Sequence, residues 1–284
     1  MKPSEQFLHQ PKHFWANVRS ISEQTGYTAA GQIKIPTLMD IKLALQQLGL
    51  GRGHIVGKHD RPTAFGKTLL AYFRHRADVL NTYVEPHLMN AKQAQRMFEE
   101  MRAKLSPTCP LPMNKQKGKK KAPAYLTGLV NMLIEANAEG LPCEYDPRRL
   151  TTITRNGVPL RTLARRVDGA FTSTVNPIAV WEIKEYYYTT TFGSRVADGV
   201  YETLLDGMEL EELREHEKID VKHYLIIDAH YTWWECGRSY LCRIIDMLHM
   251  RYVDEVLFGY EVVERMPEIV REWVKLARAR DESI

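Results

Sequence analysis

Apolar residues in the first 105 positions recur at the spacing of an α-helix. Leu38, Ile41 and Leu45 follow Thr37 at intervals that place them on one helical face, and Thr37 is placed to cap that helix. The helix is expected to end at the glycines from position 49 onward. The same spacing predicts further helices over residues 5–24, 63–80 and 90–105. The first part of the chain is therefore predicted to be helical.

The pattern changes after Pro123, where short, β-prone apolar segments are mixed with segments of helical spacing. Asn156-Gly157 separates two short segments and favours the tight turn of a β-hairpin. Helices are predicted over 124–139, 194–214, 238–251 and 267–280, and strands over 149–154, 158–166, 167–172, 178–188, 222–229 and 255–261. Strands followed by helix–strand alternation predict an α/β fold, with a mixed sheet flanked by helices on both faces.

A lysine-rich segment separates the two parts of the chain. Three prolines between positions 107 and 112 interrupt the helical pattern, and residues 115–121 contain five lysines. We therefore expect three regions: a basic helical region over 1–115 for DNA recognition or dimerisation, a basic linker over 116–123, and an α/β domain over 124–284. Two interpretations of Lys119, Lys120 and Lys121 stay open: contact with a phosphate backbone, or a solvated loop.

The composition is that of a globular protein in water. Of the 284 residues, 44% are hydrophobic and 26% are charged, and no apolar run is long enough to span a bilayer. The first residues do not have the pattern of a signal peptide. The four cysteines lack the spacing of a metal-binding motif. These observations predict a cytoplasmic protein with no membrane partner.

The net charge of +4 conceals a strong asymmetry. Residues 1–124 contain 20 lysines and arginines against 8 acidic residues, whereas residues 125–284 contain 19 against 27, which gives +12 and −8. The basic part could contact a polyanion, and the acidic part could hold a metal ion. Two ordinary solvated surfaces are the alternative interpretation.

Three charged residues fall within two neighbouring predicted strands. Asp168 begins one strand, and Glu182 and Lys184 lie two residues apart in the next, so both side chains are on the same face. A turn at Asn176-Pro177 would let the strands pair antiparallel and bring the three groups together. Buried charges are costly unless partners share the site, and a metal ion with an anionic substrate would supply them. This is the chemistry of phosphodiester hydrolysis.

The expected roles follow from the chemistry of phosphate transfer. Mg²⁺, for which Mn²⁺ can substitute, prefers carboxylate oxygens, so Asp168 and Glu182 are predicted to be metal ligands and catalytic residues. Glu135, on the preceding helix, is either a third ligand or a solvated carboxylate near a helix end. Lys184 is expected to position or help deprotonate the attacking water and to neutralise charge on the phosphate. The alternative is an Asp at a turn beside a cross-strand Glu–Lys pair.

Residues 124–262 resemble the PD-(D/E)-x-K nuclease superfamily, which has the restriction-endonuclease-like fold. Its core runs helix, three strands, helix, strand, with an acid on the second strand and (D/E)-x-K on the third; here Asp168, Glu182 and Lys184 match those positions. Glu135 resembles the acid that many members have on the first helix. Val167 stands where the motif has proline, and the resemblance does not reach residues 1–115.

The resemblance implies Mg²⁺-dependent cleavage of double-stranded DNA to 5′-phosphate and 3′-hydroxyl ends. A sequence-specific type II restriction endonuclease is the leading expectation, and a cognate methyltransferase acting on the same DNA site would accompany it. We expect a homodimer, because cutting two strands usually requires two active sites. The alternatives are a nuclease of the same fold in DNA repair, mobile-element processing or phage defence, and a non-catalytic DNA-binding or assembly protein.

Basic residues at several places are candidate DNA contacts. A basic, glycine-containing loop lies between two predicted helices of the first part, and arginines flank the acidic motif. In addition to the lysines at 119–121, the candidates are Arg52, His54, Lys58, Arg61 and Lys67 in that loop, and Arg165, Arg166 and Arg195 near the motif. A solvated loop is the alternative for the first group. Salt bridges with the acidic segment 209–217 are the alternative for the arginines that precede Asp168.

Overall fold

Helices form most of the first 105 residues, as the spacing predicts. The computed structural model of the protein describes residues 1–116, 119–188 and 193–281. The helices of this part are α1 (Glu5–Leu8), α2 (Lys12–Thr25), α3 (Leu38–Gln47), α4 (Ala64–Val79), α5 (Glu85–His87) and α6 (Ala91–Leu105). A short hairpin of β1 (Thr28–Ala29) and β2 (Gln32–Ile33), which the sequence pattern did not predict, lies between α2 and α3.

Local sequence features set the ends of these helices. Thr37 Oγ1 accepts a hydrogen bond from the Asp40 amide at 3.2 Å, and the Asp40 carboxylate accepts one from the Thr37 amide at 2.8 Å. The pair forms a capping box, which confirms the predicted start of α3. The single helix predicted over 5–24 is wrong. Pro11 disfavours the helical conformation of the residue before it, so α1 ends at Leu8 and α2 begins after the proline.

The lysine-rich segment expected to be a linker belongs instead to a β-hairpin. β3 (Met113–Gln116) pairs antiparallel with β4 (Lys119–Pro123), while residues 117 and 118 lie outside the described residues. A lysine-rich composition does not exclude such a pair, because strand pairing uses backbone groups.

A five-stranded mixed sheet forms the centre of the second part. The strands of this part are β5 (Cys143–Glu144), β6 (Thr152–Arg155), β7 (Val158–Thr162), β8 (Gly169–Phe171), β9 (Ala179–Glu185), β10 (Lys222–Asp228) and β11 (Glu255–Phe258). The sheet has the order β11-β10-β9-β8-β5. β10 is parallel to both of its neighbours, whereas β8 is antiparallel to β9 and β5. The predicted mixed sheet is therefore present.

The predicted hairpin around Asn156-Gly157 also forms, but as a separate two-stranded sheet of β6 and β7. Asn156 and Gly157 both have positive φ angles, 52° and 77°, which a tight turn of this kind requires. The edge of the main sheet is supplied instead by β5, whose two residues were too few to give a sequence pattern.

Helices cover both faces of the sheet. They are α7 (Tyr125–Asn137), α8 (Ser194–Glu217), α9 (Arg238–His249) and α10 (Glu261–Asp281). α7 and α10 pack on one face, where Trp181 of β9 stacks on Trp273 of α10 with ring centroids 5.4 Å apart. On the other face, Val180 of β9 shares a core with Leu210 of α8. Because side chains alternate along a strand, Glu182 is directed to the α8 face.

The helices of the first part of the chain pack directly against α9. The guanidinium of Arg76 in α4 lies 3.0 Å from Asp246 of α9, and the Tyr72 hydroxyl donates to the same carboxylate at 2.6 Å. The α-amino group of Met1 lies 2.6 Å from Glu261, at the start of α10. Across the described ranges, none of the helices combines the length and the apolar character needed to cross a membrane.

Candidate functional site

The pairing of β8 with β9 places Asp168 directly opposite Glu182. Gly169 pairs with Trp181 in this antiparallel register, and the Asp168 amide donates to the Trp181 carbonyl at 3.1 Å. The carboxylate of Asp168 accepts a hydrogen bond from the Ile183 amide at 2.8 Å through Oδ2. Of the described residues, none donates a hydrogen bond to Oδ1 of Asp168. The register thus brings together the two carboxylates that the sequence predicted to meet.

Gly169 makes this register possible because the Trp181 indole fills the space beside it. A Cβ atom at position 169 would lie 2.0 Å from two carbon atoms of the Trp181 ring. The ring itself is fully buried between the sheet and α10. The Asp168-Gly169 pair therefore places a candidate site carboxylate where two strands approach closely.

Lys184 lies on the same face as Glu182 and forms an ion pair with it. Its Nζ atom is 2.8 Å from Glu182 Oε2 and 3.0 Å from Oε2 of Glu202 in α8. Burial alone would lower the pKa of Lys184, but Glu182 and Asp168 raise it above its ordinary value. Burial alone would raise the pKa of Glu182, but Lys184 and Arg165 hold it below its usual range. Both groups are therefore charged at neutral pH.

Arg165, from the loop before β8, forms the second cationic contact of Glu182. Its guanidinium donates to Glu182 Oε2 at 3.1 Å and approaches Oε1 at 2.8 Å. The same group lies 2.6 Å from Asp206 Oδ2 and 3.3 Å from Glu202 Oε2, both on α8. Arg165 was a candidate DNA contact, and the structure instead directs it into the acidic site. This is the salt-bridge alternative, although its partners precede the segment 209–217.

Burial and repulsion shift two of the carboxylates in this site. Burial, together with the negative charge of Glu182, raises the pKa of Asp168 to about 6. Burial also raises the pKa of Asp206 to about 7, against the opposing effect of Arg165. Oδ1 of Asp206 is buried and has no hydrogen-bond partner in the part of the chain that the structure describes. The site therefore contains a buried carboxylate oxygen that can still accept a hydrogen bond.

Two adjoining clefts open beside Asp168. The larger has a volume of about 460 Å³ and the smaller about 210 Å³, and both are lined by Thr127, Asp168 and Ile183. The larger cleft also contains Lys184, Glu202 and Arg195, and the hairpin residues Met113 and Asn114 border it. The three shared residues show that the two clefts adjoin at Asp168.

Glu185 is a half-buried carboxylate that lines the larger cleft and that the sequence did not reveal. It accepts hydrogen bonds from the amides of Tyr125 and Thr127 at 2.9 Å and 3.1 Å, at the N-terminus of α7. Burial raises its pKa to about 7, while the Thr127 amide and hydroxyl oppose the shift. Glu185 therefore ties the strand with the Glu-x-Lys motif to the first helix of the α/β region.

Family models match nearly the whole chain in two segments. Residues 89–273, more than half of the chain, match the model described as "Domain of unknown function (DUF7687)". The chain belongs to the DUF7687 family. Residues 1–83 match a second model, "Domain of unknown function (DUF7690)". Neither the curated proteins nor the solved structures give a match.

All the site residues described above lie within the DUF7687 match. The two matches meet between residues 83 and 89, so α6 falls with the α/β region, where it packs against α7. The expected boundary near residue 115 stays a prediction, since helical spacing alone does not show which helices share a core. Phe98 of α6 packs in one core with Leu129 of α7.

Glu135, the predicted third metal ligand, is not brought to the other carboxylates. Thr127 and Asn131 of α7 line the clefts, but Glu135, one turn further along the same helical face, does not. Its carboxylate accepts hydrogen bonds from the Thr108 amide, at 2.9 Å, and from the Thr108 hydroxyl. Burial raises the pKa of Glu135, but these hydrogen bonds lower it by more, so the pKa lies below its ordinary value. It therefore holds the 106–112 segment against α7.

The carboxylates suit a divalent cation in kind, but not as they are arranged. Asp168 offers Oδ1 opposite a buried Glu182, and Asp206 has an unpartnered buried oxygen. However, both oxygens of Glu182 are held by Arg165 and Lys184. Over the described ranges, no three His, Cys, Asp or Glu side chains converge as a metal site. A metal ion at Asp168 and Glu182 would have to compete with a cationic side chain.

The other predicted DNA contacts lie in four places. Arg195 lines the larger cleft, and Arg166 is exposed on the loop before β8. The lysines at 119–121 belong to β4, whose partner strand borders that cleft. The front candidates are absent from the described lining of both clefts: Arg52, His54, Lys58, Arg61 and Lys67. They lie in or near the 3₁₀ turn Lys58–Asp60, which is exposed and lies between α3 and α4.

Two acidic residues of α8 that contact the site, Glu202 and Asp206, were not among the candidates from the sequence. The signal was present, because Asp198, Glu202 and Asp206 recur every four residues and so share one helical face. What the spacing does not show is which strand that face covers.

Proposed function

We propose that the protein is a metal-dependent endonuclease that hydrolyses phosphodiester bonds in double-stranded DNA. The observation that carries this proposal is the register of β8 and β9, which sets Asp168 opposite Glu182 with Lys184 on the same face. Glu182 and Lys184 are buried and Asp168 is half-buried beside an open cleft, and burying such charges is costly for a merely structural ion pair. Burial of charge beside a cleft is typical of an active site.

The order of elements supports the proposal. From α7 onward, and leaving aside the β6–β7 hairpin, the chain runs helix, three strands, helix, strand, with strands β5, β8, β9 and β10 adjacent in one sheet. This order matches the core of the PD-(D/E)-x-K superfamily. Asp168 immediately precedes the second of these strands and Glu182-x-Lys184 lies on the third, where that superfamily has its acidic and lysine residues.

Each residue has a role that its surroundings support. Lys184 stays protonated beside Glu182, so its ammonium can neutralise charge that develops on a phosphate oxygen, rather than accept a proton. Asp168 and Glu182 would hold Mg²⁺ or Mn²⁺, which when bound polarises the phosphate and lowers the pKa of a bound water. Arg195 lines the larger cleft and would contact the DNA backbone, and the lysines of β4, whose partner strand borders that cleft, would extend this contact.

The biological setting is part of the proposal. One active site in each chain would cut one strand, so cleavage of both strands requires a second copy on the DNA, as in a homodimer. A sequence-specific type II restriction enzyme with a cognate methyltransferase is the setting we favour. A nuclease of looser specificity in repair, mobile-element processing or phage defence would use the same residues.

The test is cleavage of supercoiled plasmid by the purified full-length protein, with Mg²⁺ or with EDTA. Asp168→Asn should lower the nicking rate by about 100-fold or more, because it removes a charge from the reacting centre. Asp220→Asn is the matched control, since Asp220 pairs with Lys222 and Arg214 outside the site. Discrete fragments would indicate a sequence-specific nuclease. Nicked plasmid or a smear of fragments would indicate a nuclease of lower sequence specificity.

Two outcomes would reject this assignment. Cleavage that persists in EDTA, or full activity in Asp168→Asn, would place the chemistry elsewhere. Tight DNA binding without cleavage under every metal condition would favour the non-catalytic DNA-binding protein. That alternative has one observation in its favour, since the contacts of Glu182 with Arg165 and Lys184 already form a closed ion-pair network.

A further inference from the structure

The guanidinium of Arg165 lies where a cation is needed in the acidic site. It makes its closest contacts with Glu182 Oε1, at 2.8 Å, and with Asp206 Oδ2, at 2.6 Å. Both of those carboxylates are fully buried, whereas Arg165 comes from a loop and is partly exposed. The arginine is therefore the part of this network that can move without disturbing a strand or a helix.

The charges in the network do not balance. The carboxylates of Asp168, Glu182, Glu202 and Asp206 face two cations, Arg165 and Lys184. Two negative charges are therefore in excess when all four carboxylates are ionised, which equals the charge of one divalent ion. In addition, Asp206 Oδ1 is buried without a hydrogen-bond partner among the described residues, while Oδ2 of the same group already binds Arg165.

We infer that Arg165 is a displaceable internal cation, which a divalent metal ion replaces at Glu182 by moving the guanidinium fully onto Asp206. This inference rests on the proposed function, because it takes Asp168 and Glu182 as the metal ligands. Asp206 is suited to receive the arginine, since its free oxygen would complete a two-point contact between carboxylate and guanidinium. Glu202, already 3.3 Å from Arg165, would hold the other side of the displaced group.

The exchange has a specific consequence for metal affinity. A metal ion must break the contacts of Arg165 with Glu182, so the wild-type protein binds the ion more weakly than a variant without the arginine. Loss of a hydrogen bond between charged groups changes an equilibrium constant by about tenfold or more. Asp206 acts in the opposite direction, because it stabilises the displaced arginine. Removing the charge of Asp206 should therefore weaken metal binding.

The experiment is calorimetric titration of the full-length protein with MnCl₂ in the absence of DNA. Arg165→Gln should bind Mn²⁺ about tenfold more tightly than the wild type, and Asp206→Asn should bind it more weakly. Arg161→Gln is the matched control and should leave the affinity unchanged, since Arg161 pairs with Glu209 and Glu212 away from Glu182. Thermal unfolding of each variant verifies that it is folded.

A second variant keeps the test decisive if Arg165→Gln does not fold. Arg165→Gln with Asp206→Asn removes both partners of one ion pair, so no uncompensated charge is left at Asp206, and it should still bind Mn²⁺ more tightly than the wild type. Equal or weaker binding by the folded arginine variants would overturn the inference, as would no measurable binding by any variant.

The two proposals can fail separately. If the predicted order of Mn²⁺ affinities is found but the wild type cleaves no DNA, the endonuclease proposal fails and the exchange stands. If the wild type cleaves plasmid with Mg²⁺ but Arg165→Gln binds Mn²⁺ no more tightly, the exchange fails and the endonuclease proposal stands.

Discussion

Substitution of Gly169 by alanine should destabilise the protein through a single, well-defined overlap. The new Cβ would lie 2.0 Å from Cε2 and Cζ2 of Trp181 and 2.6 Å from its Nε1. Ordinary contact requires about 3.4 Å or more, so the indole or the β8 backbone must move by more than 1 Å. Trp181 cannot retreat easily, because it is fully buried and stacks on Trp273.

The magnitude follows from opposing effects. Overpacking of a core costs about 1–3 kcal/mol, and a rigid aromatic ring places this site at the upper end. Replacement of glycine by alanine also restricts the unfolded chain, which contributes about 0.4–1 kcal/mol in favour of the folded state. We therefore expect Gly169→Ala to lower the free energy of unfolding by about 2 kcal/mol. The register that aligns Asp168 with Glu182 should loosen at the same time.

Urea unfolding followed by circular dichroism measures this effect. Gly51→Ala is the control, because nothing lies within 4 Å of a Cβ there and its φ angle is not positive. Its free energy of unfolding should stay within about 0.5 kcal/mol of the wild type, or rise slightly. If Gly169→Ala proved as stable as Gly51→Ala, the close approach of β8 and β9 around Trp181 would be wrong.

Two further predictions concern buried ionisable groups outside the candidate site. Arg76→Met leaves Asp246 buried without its cationic partner and should lower the free energy of unfolding by about 3–5 kcal/mol, whereas Arg76→Met with Asp246→Leu should recover much of that loss in the same urea experiment. Burial raises the pKa of Asp228 to about 7. Between about pH 4 and pH 7 the folded state therefore holds a proton that the unfolded state has released, so the free energy of unfolding falls as the pH rises through this range. Asp228→Asn should therefore gain about 2 kcal/mol over the wild type between pH 5 and pH 8, and a constant difference between the two proteins would contradict the assigned pKa.

Much of the fold was predictable because its signals are local. The capping box of Thr37 and Asp40 depends on residues three positions apart, and the Asn156-Gly157 turn depends on two adjacent residues. The approach of Asp168 to Glu182 also followed from sequence, since one turn and two short strands determine which residues are opposite.

The rest depended on contacts between distant parts of the chain. The charge of Arg165 is evident in the sequence, but its position against Glu182 and Asp206 requires α8 to lie over β9. Glu135 was assigned to the site from its helix, yet its orientation depends on Thr108, which lies 27 positions away. The lysines of β4 suggested a solvated linker, and pairing with β3 overrode that pattern.

The central claim, hydrolysis of DNA at Asp168, Glu182 and Lys184, is tested most directly by single-turnover cleavage of an end-labelled DNA duplex in Mg²⁺. Lys184→Met should reduce the rate by about 100-fold or more, because it removes the ammonium that would neutralise charge developing on the phosphate. Lys222→Met, which removes a paired lysine from the neighbouring strand, should cleave at the wild-type rate and give the same 5′-phosphate ends. Equal rates for the wild type and a folded Lys184→Met would contradict the claim, as would loss of activity in Lys222→Met alone.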